Sequence, residues 1–212
     1  MAITKTYING DFTILYNWLT TNGSDFFTSI VNNTTYISCY VGEFEFMRIN
    51  VQMGLTSTDG VTIYAHNDSI HIRAHSNQYP IIWAYKTKYA LVFSAKDSSA
   101  ENAVFSIIVT KDNNNNVSCI IVNSFDPNLT DDNTVYAVSI DSEAIETLIL
   151  RPNTGKNTTA ICPLIVSGTS LRYLPNVYYM PFSQYSQEGQ YLIENNTYLC
   201  NGIIAIKDEY RG

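Results

Sequence analysis

The sequence predicts a mainly β protein: an antiparallel β-sandwich or barrel-like body with one N-terminal helix and a C-terminal β-meander. Three observations predict it. Short runs of alternating or β-branched residues recur along the chain with Gly, Asn or Asp between them. The 212 residues include 16 Tyr and 22 Asn, which favour strands and turns respectively. The segment Gly189 to Lys207 reads as three short strands, Gln190 to Ile193, Thr197 to Cys200 and Ile203 to Lys207, around turns at Asn195-Asn196 and Asn201-Gly202. Strands this short are marginal alone, so the rest of the chain must supply the sheet they complete. No linker or repeat divides residues 1–212, and a single β-rich domain is expected, with a strand-helix unit at 1–23 and the meander at 189–207.

Residues 2–8 alternate weakly, as an edge strand does. Asp11 follows Asn9-Gly10 as a helix N-cap, and Phe12, Leu15, Tyr16, Trp18 and Leu19 recur at helical spacing. Asn22-Gly23 supplies the stop, and Trp18 on this stripe reads as a core anchor. Beyond Asn32-Asn33 the period changes. Thr35 to Val41, Phe44 to Val51, Val61 to Ala65 and Ser69 to Ala74 are strand-like. In the second, simple alternation sends Phe44, Phe46, Arg48 and Asn50 one way and Glu45, Met47, Ile49 and Val51 the other.

Residues 81–95 predict a hairpin turning at Lys86-Thr87-Lys88. Its odd positions, among them Trp83, Tyr85 and Tyr89, are largely apolar, and Lys86, Lys88 and Ser94 fall on even ones. Trp83, Tyr85 and Tyr89 are candidates for a glycan-stacking platform, although a sheet core explains the same alternation. Phe105 to Lys111 and Val117 to Asn123 flank the polar tip 112–116 as a second hairpin. Thr134 to Ile140 is a further strand. Residues Asp141 to Ile149 admit either a short helix capped by Ser142 or a strand from Glu146. Pro163 demotes the apolar run Thr159 to Val166 to an edge or bulged strand. The segment Leu171 to Phe182 carries Tyr173, Tyr178 and Tyr179 between Pro175 and Pro181. It reads as an extended surface stretch; with Tyr185 these tyrosines are the candidate interface, because Tyr is enriched at protein contacts.

Composition narrows the function. Only 15% of residues are charged, against roughly 25% in an ordinary soluble domain. Polarity therefore comes from amides and hydroxyls, which suits docking onto other subunits or onto neutral ligands. A net charge of −7 without clustered Lys or Arg argues against nucleic acid. No run is long and apolar enough to span a membrane. The opening MAITKTYING has no signal-peptide core, so assembly in a host cytoplasm is expected, and the Asn-x-Ser/Thr sequons read as chance.

Metal and catalytic chemistry find little footing. His66, His71 and His75 fall close together, but a strand places Arg73 between His71 and His75 on one face, where it repels a cation. Their reading is a polar or interface face that gains positive charge near pH 6. Asp126, Asp131 and Asp132 lack calcium-loop spacing. The widely spaced Cys39, Cys119, Cys162 and Cys200 read as buried thiols. Glu143 and Glu146 form a glycosidase pair only if a cleft brings them together. No nucleophile elbow, phosphate loop, dinucleotide fingerprint or zinc-protease motif occurs. No cofactor is expected.

Gly189-x-Tyr191-x-Ile193, then Tyr198, Gly202 and Ile204-Ala205-Ile206-x-Asp208, resembles the closing segment of tail-associated virion proteins from phages and phage-like particles of Gram-positive bacteria. The opening Asn9-Gly10-Asp11-Phe12 with Trp18-Leu19 is similar to the start of some of them. Together these stretches cover about a quarter of the chain. The resemblance implies a non-enzymatic structural subunit of a tail, baseplate or capsid surface, whose partners are copies of itself and neighbouring virion proteins. It carries over no catalytic or ligand-binding residue. The alternative is a carbohydrate- or receptor-binding β-sandwich with a host glycan as partner.

Overall fold

The structure is a computed structural model, and it describes residues 6–7, 11–50, 60–73, 81–96, 104–122, 133–150, 162–166, 172–179, 190–193, 195–200 and 204–207. Among them the fold is mainly β, in three antiparallel sheets with one α-helix at the N-terminal end. Among the described residues no sheet closes into a barrel.

Helix α1 (Phe12–Asn22) starts where the sequence places it. Asp11 is extended, and its Oδ1 accepts the backbone N–H of Ile14 at 2.9 Å, satisfying one of the open donors of the first turn. Leu15, Trp18 and Leu19 form its buried stripe. The helix ends at Gly23, whose N–H bonds back to Leu19 O. Gly23 has ordinary helical backbone angles, so its role is space. A Cβ there would lie 2.8 Å from Ile30 Cδ1 and 3.3 Å from Phe27 Cδ2.

A five-stranded sheet follows in simple order: β2 (Ser29–Asn32), β3 (Tyr36–Val41), β4 (Phe44–Asn50), β5 (Gly60–Tyr64) and β6 (Ser69–Arg73), numbered after the two-residue strand β1 (Thr6–Tyr7). Gly42 at φ +63 makes the tight β3–β4 turn, a backbone region that glycine enters without steric cost. One expectation is corrected in β4. Its register against β3 runs Cys39↔Met47 and then Tyr40↔Glu45, so Phe46 is an extra residue, a β-bulge. The bulge reverses the alternation halfway along the strand. Phe46, Met47 and Ile49 are all buried in the core, with Phe44 packed against them. Glu45 is thereby placed on the outer face beside Arg48.

The second sheet has seven strands in the order β1, β7 (Ile81–Lys86), β8 (Leu91–Lys96), β9 (Val104–Lys111), β10 (Val117–Val122), β11 (Asn133–Ser139) and β12 (Glu146–Leu150). Leu91, Phe93, Ile107, Val109, Cys119 and Val138 on one face share a core with α1 and the five-stranded sheet. Trp18 meets Phe93 edge to face at 5.5 Å, an arrangement that suits the ring quadrupoles. Val92, Ile108, Ile120 and Ala137, in register on the opposite face, are equally closed to solvent. Burial on both faces explains why β8 to β10 read as nearly continuous apolar runs.

The expected 81–95 hairpin is present, with its turn lengthened to residues 87–90. Thr87 Oγ1 accepts the N–H groups of Tyr89 and Ala90. The pairing Ala84↔Phe93 changes parity across the turn. Ala84 of β7 and Phe93 of β8 therefore share the core, and the odd parity expected throughout does not carry across the turn. At the β9–β10 tip, the buried Asp112 accepts the N–H groups of Asn114 and Asn116 on Oδ1. Asn115 adopts φ +66, which asparagine tolerates. The ambiguous stretch after Asp141 is a turn followed by strand β12. Ser142 Oγ accepts Ser139 N–H instead of capping a helix.

The third sheet runs β13 (Cys162–Val166), β14 (Arg172–Tyr179), β17 (Ile204–Lys207), β16 (Asn196–Cys200) and β15 (Gln190–Ile193). The three strands of the meander stand where the sequence puts them. Strand β13 is the edge, and its register shifts between Pro163 and Ile165, as the missing proline N–H dictates. Strand β14 lies against β9, and Tyr198 of β16 is buried.

Candidate interaction site

The outer face of the five-stranded sheet gathers the most organised set of polar and aromatic side chains among the described residues. In β3 the alternation sends Ile37 and Cys39 into the core and turns Tyr36, Ser38 and Tyr40 outward. Register sets Ser38 opposite Arg48 and Arg48 opposite Thr62, with Tyr64 two residues further along β5. The bulge at Phe46 adds Glu45.

At the centre Arg48 meets Glu45 side-on: Nε donates to Oε1 at 2.8 Å and Nη2 to Oε2 at 2.5 Å. Ser38 Oγ, fully buried, donates to the same Oε1 at 2.5 Å. The guanidinium lies 4.6 Å from the Tyr36 ring centroid and 5.7 Å from that of Tyr64, within cation–π range of both. Burial works to raise the pKa of Glu45, but the hydrogen bonds from Arg48 and Ser38 outweigh it and hold the carboxyl below its usual value. The hydrogen bond to Glu45 raises the pKa of Arg48, and burial raises that of the Tyr64 hydroxyl. The face thus presents a locked, internally neutralised ion pair between two amphipathic rings. Val31 in β2, paired with Ser38 and 40% exposed, extends it toward the sheet edge.

A second feature is concave. A cleft of about 340 Å³ lies between the turn after α1, the β7–β8 turn and the β9–β10 tip, with Asp25, Lys88, Tyr89, Thr110, Lys111 and Asn115 among its lining residues. Tyr89 is half-buried there. Lys88 Nζ lies 5.4 Å and Lys207 Nζ 5.6 Å from its ring centroid.

The proposed platform residues do not share one setting. Tyr89 lines the cleft, whereas the backbone register sets Trp83 opposite Ser94 and Tyr85 opposite Val92 in the paired strands. Of the candidate interface tyrosines, Tyr173 pairs with Ile165, Tyr178 with Pro163 and Ala205, and Tyr179 with Cys162 and Ile204. Their segment is thus an interior strand of the third sheet, joined to the meander. Tyr185 lies outside the described residues, as do His75, Asp126, Asp131 and Asp132.

His71 alternates with the inward Ile70 as expected, and its Nδ1 is 2.9 Å from Thr62 Oγ1. The His66 ring is 4.7 Å from that of Phe44. Glu143 is exposed and takes the Asn67 side-chain amide. With the backbone bonds from His66 to Ser142 and from Asn67 to Glu143, it ties the β5–β6 turn to the β11–β12 connection. Cys39 and Cys119 are buried thiols whose pKa values burial pushes far up.

Sequence reasoning missed the Arg48 face. The available signal was Tyr36, Ser38 and Tyr40 alternating with Ile37, Cys39 and Val41, which marks one polar aromatic face; the bulge that brings in Glu45 had no glycine or proline to announce it. Compared with protein-family models, with curated proteins and with solved structures, the chain finds no match.

Proposed function

We propose that this chain is a non-enzymatic structural subunit of a phage or phage-like particle, a tail, baseplate or capsid-surface component that works by assembling in symmetric copies. The observation that supports this reading best is the outer face around Arg48, and its occupant is a second copy of the chain. Tyrosine and arginine are the residue types that recur at the energetic centres of protein contacts. Here their geometry is fixed before any partner arrives, which lowers the ordering cost of association.

Charge favours a second copy over a charged partner. The chain carries a net charge of −7, so two copies repel over most of their surfaces. On this face Arg48 is matched by Glu45, and two such faces meet without opposing like charges. Such a contact is isologous, each copy contributing the same patch.

Mass spectrometry of intact particles from the producing host, together with light scattering of the purified chain, tests the reading. It requires the protein in the particles and an oligomer in solution. A chain absent from particles and monomeric at high concentration contradicts it. The alternative, a glycan-binding module on Trp83, Tyr85 and Tyr89, draws on Tyr89 and the cleft that it lines.

A further inference from the structure

Strand β2 stands at one edge of the five-stranded sheet. An edge strand presents a row of main-chain N–H and C=O groups, and folds usually guard it with charge, proline, a bulge or extreme brevity. The other edges carry such guards. β13 has Pro163 and a shifted register, β6 ends on Arg73, β12 opens on Glu146, β1 is two residues long and Glu194 follows β15. β2 reads Ser-Ile-Val-Asn and pairs with β3 from Ser29 to Asn32 without a shift.

Its surroundings are neutral as well. No Asp, Glu, Lys, Arg or His occurs between Asp25 and Glu43, so both β2 and β3 are uncharged in a chain of net charge −7. Two copies that repel elsewhere can approach at this edge without opposing like charges. Ser29, Val31 and Asn32 are exposed, while Ile30 is packed against the core and holds the strand in place before any partner arrives. The hairpin closes with Asn33 N–H on Tyr36 O at 2.9 Å. By the alternation of an antiparallel ladder, Val31 and Ser29 then turn their main-chain groups toward β3, and Ile30 and Asn32 turn theirs outward.

We infer that β2 pairs antiparallel with β2 of a second copy about a two-fold axis, so that two five-stranded sheets run on as one. The inference rests on the self-assembly reading for its partner, but it uses the main chain of the edge in place of the side chains around Arg48. Ile30 exchanges main-chain hydrogen bonds with Asn32 of the second copy, and Asn32 with Ile30. Val31, 40% exposed in the single chain, meets Val31 of the second copy as a non-hydrogen-bonded pair, with Cα atoms about 4.5 Å apart. Centring the pair on Ile30 would instead set Val31 against Ser29 and send Asn32 to Thr28, outside the strand.

Cysteine cross-linking and hydrogen exchange test the pairing. Under mild oxidation Val31→Cys gives a disulfide-linked dimer, because that Cα separation suits a disulfide, and Ser29→Cys, roughly 14 Å from its own copy in this register, gives about tenfold less. Wild type run alongside sets the background from the native cysteines. In the wild-type chain the amides of Ile30 and Asn32 exchange about tenfold more slowly in concentrated than in dilute solution. A contact through the Arg48 faces alone does neither, since Val31 lies two strands from that centre, roughly 10 Å away, and the main-chain edge stays open to water. An oligomer by sedimentation with no Val31→Cys dimer, with equal cross-linking at both positions, or with unslowed amides overturns the edge pairing and leaves the Arg48 contact standing. A chain that sediments as a monomer at every concentration overturns both.

Discussion

Glu45 and Arg48 lie three residues apart on one β-strand, a spacing that regular alternation places on opposite faces, yet their side chains meet in a two-pronged ion pair. The bulge at Phe46 is the cause. It adds one residue between them and turns a core strand into one that also builds an outer face. The pair is partly shielded, with 37% of the Arg48 side chain and 19% of the Glu45 side chain exposed.

The acid sensitivity of this face follows from Glu45. Its carboxyl is held below the ordinary value near 4.5, so the ionised form stabilises the fold. That contribution is complete above the unfolded value and is lost as pH falls through the folded one. Glu45→Gln therefore lowers unfolding free energy at pH 7, by about 1 kcal/mol for a partly exposed pair. The difference from wild type shrinks below pH 4.5. Urea unfolding of both proteins from pH 7 to pH 3 measures it.

Trp18 joins the helix to the seven-stranded sheet. Trp18→Ala is expected to cost about 3–5 kcal/mol, since it removes a large side chain that is 7% exposed. Phe93→Ala costs a similar amount. In a double-mutant cycle the two couple by about 0.5–1.5 kcal/mol, the excess of an edge-to-face pair over its buried area. Strict additivity in denaturant melts would mean that helix and sheet are not joined here.

Gly23, at the end of α1, has no room for a side chain. Gly23→Ala drives a methyl into Ile30 Cδ1 and is expected to destabilise by about 1–3 kcal/mol. Ile30→Val removes that Cδ1 atom. In the Ile30→Val background the same alanine costs less, which thermal unfolding of the four proteins reads directly. Equal cost in both backgrounds would place the constraint at Phe27 Cδ2, the next atom.

The fold was legible wherever local chemistry decides it. Asp11 announced its cap, Asn195 the first turn of the meander, Pro163 the bulged edge, and the asparagine run 113–116 the hairpin tip; the second meander turn, Asn201-Gly202, lies outside the described residues. What depends on two strands together was not legible. The bulge at Phe46 arises from the register of β4 against β3, and a four-residue turn shifts the parity of β7 against β8. Both lie beyond the reach of a pattern read along one strand. The Arg48 face was missed for the same reason, because simple alternation separates Glu45 from Arg48. Only Tyr89 of the proposed aromatic platform reached a described cleft, through a turn that two hydrogen bonds to Thr87 Oγ1 hold in shape.

Sedimentation of the wild-type chain and of Val31→Glu across a wide concentration range tests the central claim most directly. Val31 is exposed on the proposed contact face and makes neither of the Arg48–Glu45 hydrogen bonds, and the substitution sets like charges against each other across a two-fold contact. The account predicts a wild-type oligomer that Val31→Glu converts to a monomer with an unchanged circular-dichroism spectrum. A wild-type monomer at every concentration, or a Val31→Glu protein that assembles as well as wild type, would contradict it.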